Sequence, residues 1–190
     1  MAKACNFGFP GGLGIKTFQY IARNSYGVEL DADRCTELKK LWIESFPEML
    51  FHLKPPKDPK RRRGGADEDE DDKYLARTLS GRIRANAAYC SACNYPFQGL
   101  SSDGARVALW YMLLEGFHTV NFVHDETITE LDWVQGVHDK IARIDQLMVA
   151  GMQQVIKHVE IRVEGALMTR WYKEAQPVHD TQGNLTIWEP

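Results

Sequence analysis

Apolar residues recur at spacings of three and four along the first fifty positions. Ile15, Phe18, Ile21 and Ala22 mark one face of a helix, which the turn sequence "NSYG" ends. A second helix follows. Asp31 stands where a capping side chain is wanted, and Cys35, Leu38, Leu41, Trp42 and Ile43 recur near helical spacing until Pro47. A glycine-rich corner, "FGFPGGLG", precedes both. The pattern resumes near Tyr74, where "TLSGRIRAN" reads as a turn between short extended pieces. "SSDGARVALWYMLLEG" predicts a helix capped by Ser101 or Ser102, buried along Ala105, Ala108, Leu109, Met112 and Leu113, and ended by Gly116. "HTVNFV" and "TITEL" alternate with period two, as antiparallel strands do. "DWVQGVHDKIARIDQLMVAGMQQVIK" predicts the longest helix, with Val134, Val137, Ile141, Ile144, Met148 and Met152 along one side. "VEIRVEG" alternates again and predicts a further strand. Helix, hairpin, helix and strand amount to an α+β protein, an antiparallel sheet with helices packed on one face.

Composition divides the chain further. "KPPKDPKRRRGGADEDEDDK" carries a basic block, then an acidic one, and no apolar residue beyond a single alanine. Such a segment cannot bury enough surface to offset chain entropy, so residues 54–73 read as a disordered insertion between a helical region, 1–53, and a larger one, 74–190. "KRRR" could mark a nucleic-acid patch, but "DEDEDD" beside it neutralises the charge and favours a solvated linker. The formal net charge of -3 advertises no overall grip on nucleic acid, though it leaves room for a local site where cations neutralise phosphate. No apolar run reaches the ~20 residues of a membrane span, and "MAKACNFGF" lacks the design of a signal peptide, so the expected location is cytoplasmic. Four scattered cysteines suit that compartment. Cys90 and Cys93 spell C-x-x-C, but no second ligand pair follows and no βαβ unit surrounds them, which argues against a zinc or redox site.

The most suggestive chemistry lies at the hairpin tip, in "VNFVHDETITEL". Asp125 and Glu126 are adjacent, and two crowded carboxylates are costly unless a cation lies beside them. Hard oxygen ligands suit magnesium, which commonly takes one or two carboxylates together with substrate phosphates. That points to metal-assisted phosphoryl transfer. An ordinary surface turn also likes Asp and Glu, so the motif alone decides nothing.

Three blocks in order decide more. "KACNFG", "NYPFQGLSSDGAR" and "FVHDETITE" resemble, respectively, the end of the fingers-helix motif, the Asn-x-Pro-x-Gln-Gly segment and the palm Val-His-Asp-Glu motif of the DNA polymerase I family, family A. A weaker likeness continues to Arg170 and Trp171. The resemblance implies a helical fingers segment followed by part of an antiparallel palm. It implies template-directed transfer of nucleotides from dNTP to a primer 3′ hydroxyl, with Mg2+ as cofactor and primer-template DNA as partner. Asp125 would bind catalytic magnesium and Glu126 would assist it. His124 would lie against the primer terminus, and Asn94 and Gln98 against the minor groove, where acceptors common to all base pairs allow a geometry check. Lys3 would reach the nucleotide's phosphates, Phe7 would pack on its sugar and base, and Arg82 would contact the primer strand.

The departures are informative. Gly11 stands where the family has a tyrosine, as in phage-type members, and Cys90 stands where many relatives carry arginine. The fingers-motif arginine would precede Met1. The second palm aspartate, from a segment resembling Asp-Tyr-Ser-Gln-Ile-Glu, is not found, so the chain is expected to be inactive until an N-terminal remainder completes the site. A non-catalytic DNA-binding or assembly module derived from the same fold is the alternative reading. A metal-dependent nuclease would rest on the acidic pair alone.

Overall fold

The computed structural model describes residues 2–59 and 73–190, which form two compact units, Met1–Leu100 and Ser101–Pro190. Among the described residues helices and short antiparallel ladders alternate, so the chain is α+β. The strands form three separate two-stranded ladders, not one continuous sheet. Among the described residues no helix is long and apolar enough to cross a membrane.

In the first unit, α1 (Ala2–Gly8), α2 (Ile15–Tyr26) and α3 (Ala32–Ser45) enclose a core of Ala4, Phe9, Phe18, Cys35 and Trp42. Phe9 comes from the glycine-rich corner and is fully buried. Its ring stacks on Phe18 at 4.3 Å between centroids and tilts against Trp42 at 5.7 Å. The expected stops and starts are present. Gly27 ends α2 in a left-handed conformation, and the Asp31 carboxylate accepts from the Arg34 amide at 2.7 Å. Leu41, expected on the buried face of α3, is instead 47% exposed. A short helix, α4 (Met49–His52), follows.

The insertion falls largely on residues 60–72, which lie outside the described residues. Its two ends are joined. Lys57 bridges Tyr74, the Asp58 amide donates to the Lys73 carbonyl at 2.9 Å, and the Asp58 carboxylate accepts from the Asn86 amide at 2.9 Å. The insertion thus leaves and re-enters the fold at one place, the start of β1 (Tyr74–Arg77). That strand pairs antiparallel with β2 (Ile83–Ala87), as the turn in "TLSGRIRAN" predicts.

The next helix departs most from expectation. α5 spans Tyr89–Leu114 and contains Pro96, so Ser101 and Ser102 lie inside it and cap nothing. It gives its first half to the first unit and its second half to the second. Ala108 and Met112 are buried as expected, whereas Leu113 is 62% exposed.

The second unit continues with β3 (His118–Val123) and β4 (Glu126–Glu130), then α6 (Val137–Val155), which is shorter than α5. Gly136, at φ 85°, delays the start of α6, so Val134 precedes the helix and is exposed. Val137 and Leu147 are buried. Gly151 lets α6 approach the α5 backbone, since a Cβ there would fall 2.4 Å from the Ala108 Cα. Arg143 of α6 grips Glu115, just past α5, through two hydrogen bonds, one of 2.7 Å from Nε. That contact holds the Glu115 carboxyl below the usual carboxylate range. "VEIRVEG" forms no ladder despite its alternation. Alternation can orient side chains, but a strand exists only where its backbone groups find a partner. β5 (Val178–His179) and β6 (Leu185–Thr186) form the last ladder.

Candidate functional site

β3 and β4 pair from His118 opposite Glu130 to Val123 opposite Glu126, leaving His124 and Asp125 as a two-residue turn. Turns of this length match the twist of the strands only with a positive φ in the turn, a position that usually takes glycine. Here His124 takes it, at φ 58°. Polar residues such as His tolerate that region better than branched ones, yet the conformation is sparsely populated and costs free energy, on the order of 1 kcal/mol. The ladder around the tip over-determines the turn. Thr119 and Thr129 share a hydroxyl hydrogen bond of 3.2 Å, and His118 Nδ1 meets the Glu130 carboxylate at 3.0 Å near the base. Thr127 donates to Met148 Sδ of α6 at 3.5 Å, which ties the hairpin to the helix.

The tip therefore presents a fixed triplet, His124, Asp125 and Glu126, all exposed. Asp125 occupies the turn and Glu126 the first position of β4. The Glu126 carboxylate is engaged from a distant part of the chain, for Trp171 donates its indole N–H to Oε1 at 3.0 Å. Neither the spacing nor the periodicity of the sequence signals this contact across 45 residues.

The donor set can be weighed against magnesium on chemistry alone. Two adjacent carboxylates match an ion that commonly takes one or two from protein and fills its remaining positions with water and phosphate. Among the described residues no group of three or more His, Cys, Asp or Glu side chains converges on a common point. Among the described residues the tip offers two adjacent carboxylates and no closed protein cage.

The other expected site residues lie in the first unit. Lys3 and Phe7 are one helical turn apart on α1, both exposed, and Phe7 is 67% exposed. A large ring left open next to a cation can receive an anionic aromatic ligand. Gln98 is exposed on α5. Asn94 is half-buried, donating to the Cys90 carbonyl at 3.0 Å. Arg82 is also committed within its own unit. It donates to the Gly99 carbonyl at 2.9 Å and lies over the Tyr95 ring, with Arg84 nearby.

The glycine corner leaves no room for a side chain at Gly11 or Gly12. A Cβ on Gly11 would lie 2.8 Å from Asn94 Nδ2, and one on Gly12 would lie 2.6 Å from Tyr89 Cε1. The two glycines let the corner lie directly on the first turns of α5, where Cys90 Sγ reaches the Gly12 carbonyl at 3.9 Å. Tyr89 donates to the Leu53 carbonyl at 2.9 Å, and burial pushes its hydroxyl up to about 12. Burial likewise raises the Cys93 thiol. Gly11→Tyr is expected to destabilise the chain by about 2 kcal/mol, because the ring displaces Asn94. Urea denaturation would measure it, and an unchanged midpoint would show that the corner can open freely.

No family model matches the chain. A curated relative does. DNA polymerase I of Aquifex aeolicus (strain VF5) is 26% identical over 185 residues, which cover 92% of this chain and 30% of that protein. Over most of its length the chain is related to a DNA polymerase I. It spans about a third of the length of that relative.

Proposed function

We propose that residues 1–190 are the C-terminal fingers-and-palm portion of a family A DNA polymerase, adding nucleotides from dNTP to a primer 3′ hydroxyl. The observation that carries this reading is the exposed Asp125–Glu126 pair on a braced hairpin, in a chain related to DNA polymerase I. Bound magnesium supplies charge neutralisation at the phosphates and orients the reacting oxygens. The residues of the chain do the rest. Asp125 and Glu126 hold the carboxylate charge at the tip, and His124, next to them in the turn, meets the primer terminus. On α1, Lys3 takes the triphosphate and Phe7 the sugar and base. Asn94, Gln98 and Arg82 address DNA from α5 and the turn before β2.

A second palm carboxylate comes, in this reading, from an N-terminal remainder of the polymerase. The open apolar surface of the second unit supports such a partner, with Trp110 55% and Leu114 65% exposed at the end of α5. A location in the cytoplasm, with DNA, completes the proposal. Neither proofreading nor processivity is assigned to these residues.

The test is reconstitution. The chain is mixed with the N-terminal portion of a family A polymerase and supplied with primed template, dNTP and Mg2+. Primer extension that needs both portions supports the reading. DNA binding by the assembled pair without any extension would favour a non-catalytic module, and Mg2+-dependent DNA cleavage by the chain alone would favour a nuclease.

A further inference from the structure

Glu126 is the one member of the acid pair whose side chain is held by a remote element. The holding element is built for it. Trp171 lies in a segment with little regular structure, yet that segment is anchored on both flanks of the tryptophan. Leu167 bridges Ile187, and the Trp188 amide donates to the Leu167 carbonyl at 2.7 Å. The Tyr172 ring stacks on Trp188 at 5.2 Å and 15°. The Tyr172 amide approaches Met168 Sδ at 3.2 Å. A loop pinned at 167 and 172 leaves the intervening Trp171 little freedom, and its indole N–H meets Glu126 Oε1 at 3.0 Å.

We propose that Trp171 is a positioning residue of the hairpin tip, presented by the C-terminal segment to fix one oxygen of the Glu126 carboxylate. An indole nitrogen donates and never accepts, so it cannot compete with the carboxylate for a cation. With Oε1 occupied, Glu126 offers its other oxygen in a set direction, and Asp125 is left free to meet an ion. The division of labour between the two acids is then written in the fold. Asp125 is the open ligand and Glu126 the oriented one. The part of this inference that concerns a cation rests on the function proposed above, whereas the contact itself does not.

The experiment uses the full chain uniformly labelled with 15N, with Mn2+ as the probe. The Trp171 indole resonance is assigned from its loss in Trp171→Phe, which keeps an aromatic ring and removes the donor. Glu126→Ala is expected to move that resonance, while leaving the indole signals of Trp42 and Trp110 in place. Mn2+ is expected to broaden the backbone amides of Asp125 and Glu126 saturably, with a midpoint about tenfold higher in Trp171→Phe, the usual cost of losing an outer partner of a ligand. An indole resonance indifferent to Glu126→Ala overturns the contact. A resonance that moves, joined to an unchanged Mn2+ midpoint in Trp171→Phe, overturns the positioning role and leaves only a packing one. If the unsubstituted chain shows no saturable Mn2+ effect at the tip, the metal reading of the acid pair falls, and the indole shift alone still decides whether Trp171 holds Glu126.

Discussion

Asp125→Ala is expected to reduce primer extension by the reconstituted polymerase about a thousandfold, while the two portions still assemble and still bind DNA. The magnitude follows from the role. A metal ion offsetting charge in phosphoryl transfer contributes several kcal/mol, and about 4 kcal/mol corresponds to about three powers of ten in rate. Loss of its main protein ligand forfeits most of that. Folding should be unaffected, because Asp125 is exposed in a turn whose shape is set by His124 and the ladder beneath. Asp125→Asn, which keeps the shape and removes the charge, should be almost as damaging. Glu126→Ala should cost less, about tenfold, since its carboxylate is shared with Trp171. Steady-state extension with a primed template measures all three. Near-normal rates for Asp125→Ala would remove the carboxylate from the chemistry and with it the catalytic reading.

The legibility of this site in the sequence was uneven for physical reasons. The hairpin was readable because alternation and turn chemistry are local, and a two-residue turn requires its strands to pair in one register. The α2 stop at Gly27 and the α3 cap at Asp31 were readable for the same reason. α5 was misjudged where local signals point the wrong way. Pro96 and the pair Ser101–Ser102 look like boundaries, yet the helix runs through them. Packing overrides them: Ala92 and Cys93 are buried before the proline, and Gly104 and Ala108 are buried after the serines. "VEIRVEG" failed in the opposite sense, with a local pattern but no ladder. The Trp171–Glu126 contact left no local trace, because tertiary folding alone brings residues 45 positions apart into contact.

Similar reasoning applies to Gly11. In the structure the glycine serves a packing purpose, since Asn94 fills the space a side chain would take. Asn94 is thereby coupled to the corner that follows α1, the helix bearing Lys3 and Phe7.

Gly151→Ala should destabilise the second unit by about 2 kcal/mol. In isolation the change would help, since alanine favours a helix over glycine by about 1 kcal/mol. The surroundings reverse the sign. The new Cβ would fall 2.4 Å from both the Cα and the N of Ala108 and 2.9 Å from the Val107 carbonyl carbon. These are backbone atoms of α5, and they cannot swing aside as a side-chain tip can. Relief requires the two helices to separate, which loosens Met112 and Leu147, both buried. Gly104→Ala provides the control within the same helix pair. Its Cβ would meet Met152 Sδ at 3.0 Å and the Met152 Cα at 3.4 Å, so a flexible thioether can yield and the helix-propensity gain should survive. Urea unfolding followed by circular dichroism should therefore move the two midpoints in opposite directions. The consequence reaches the tip, because the hairpin is tied to α6 through Thr127 and Met148, one turn from Gly151. A Gly151→Ala chain that unfolds at the same urea concentration as Gly104→Ala would mean that α5 and α6 do not pack this closely, and the platform beneath Asp125 would have to be rebuilt.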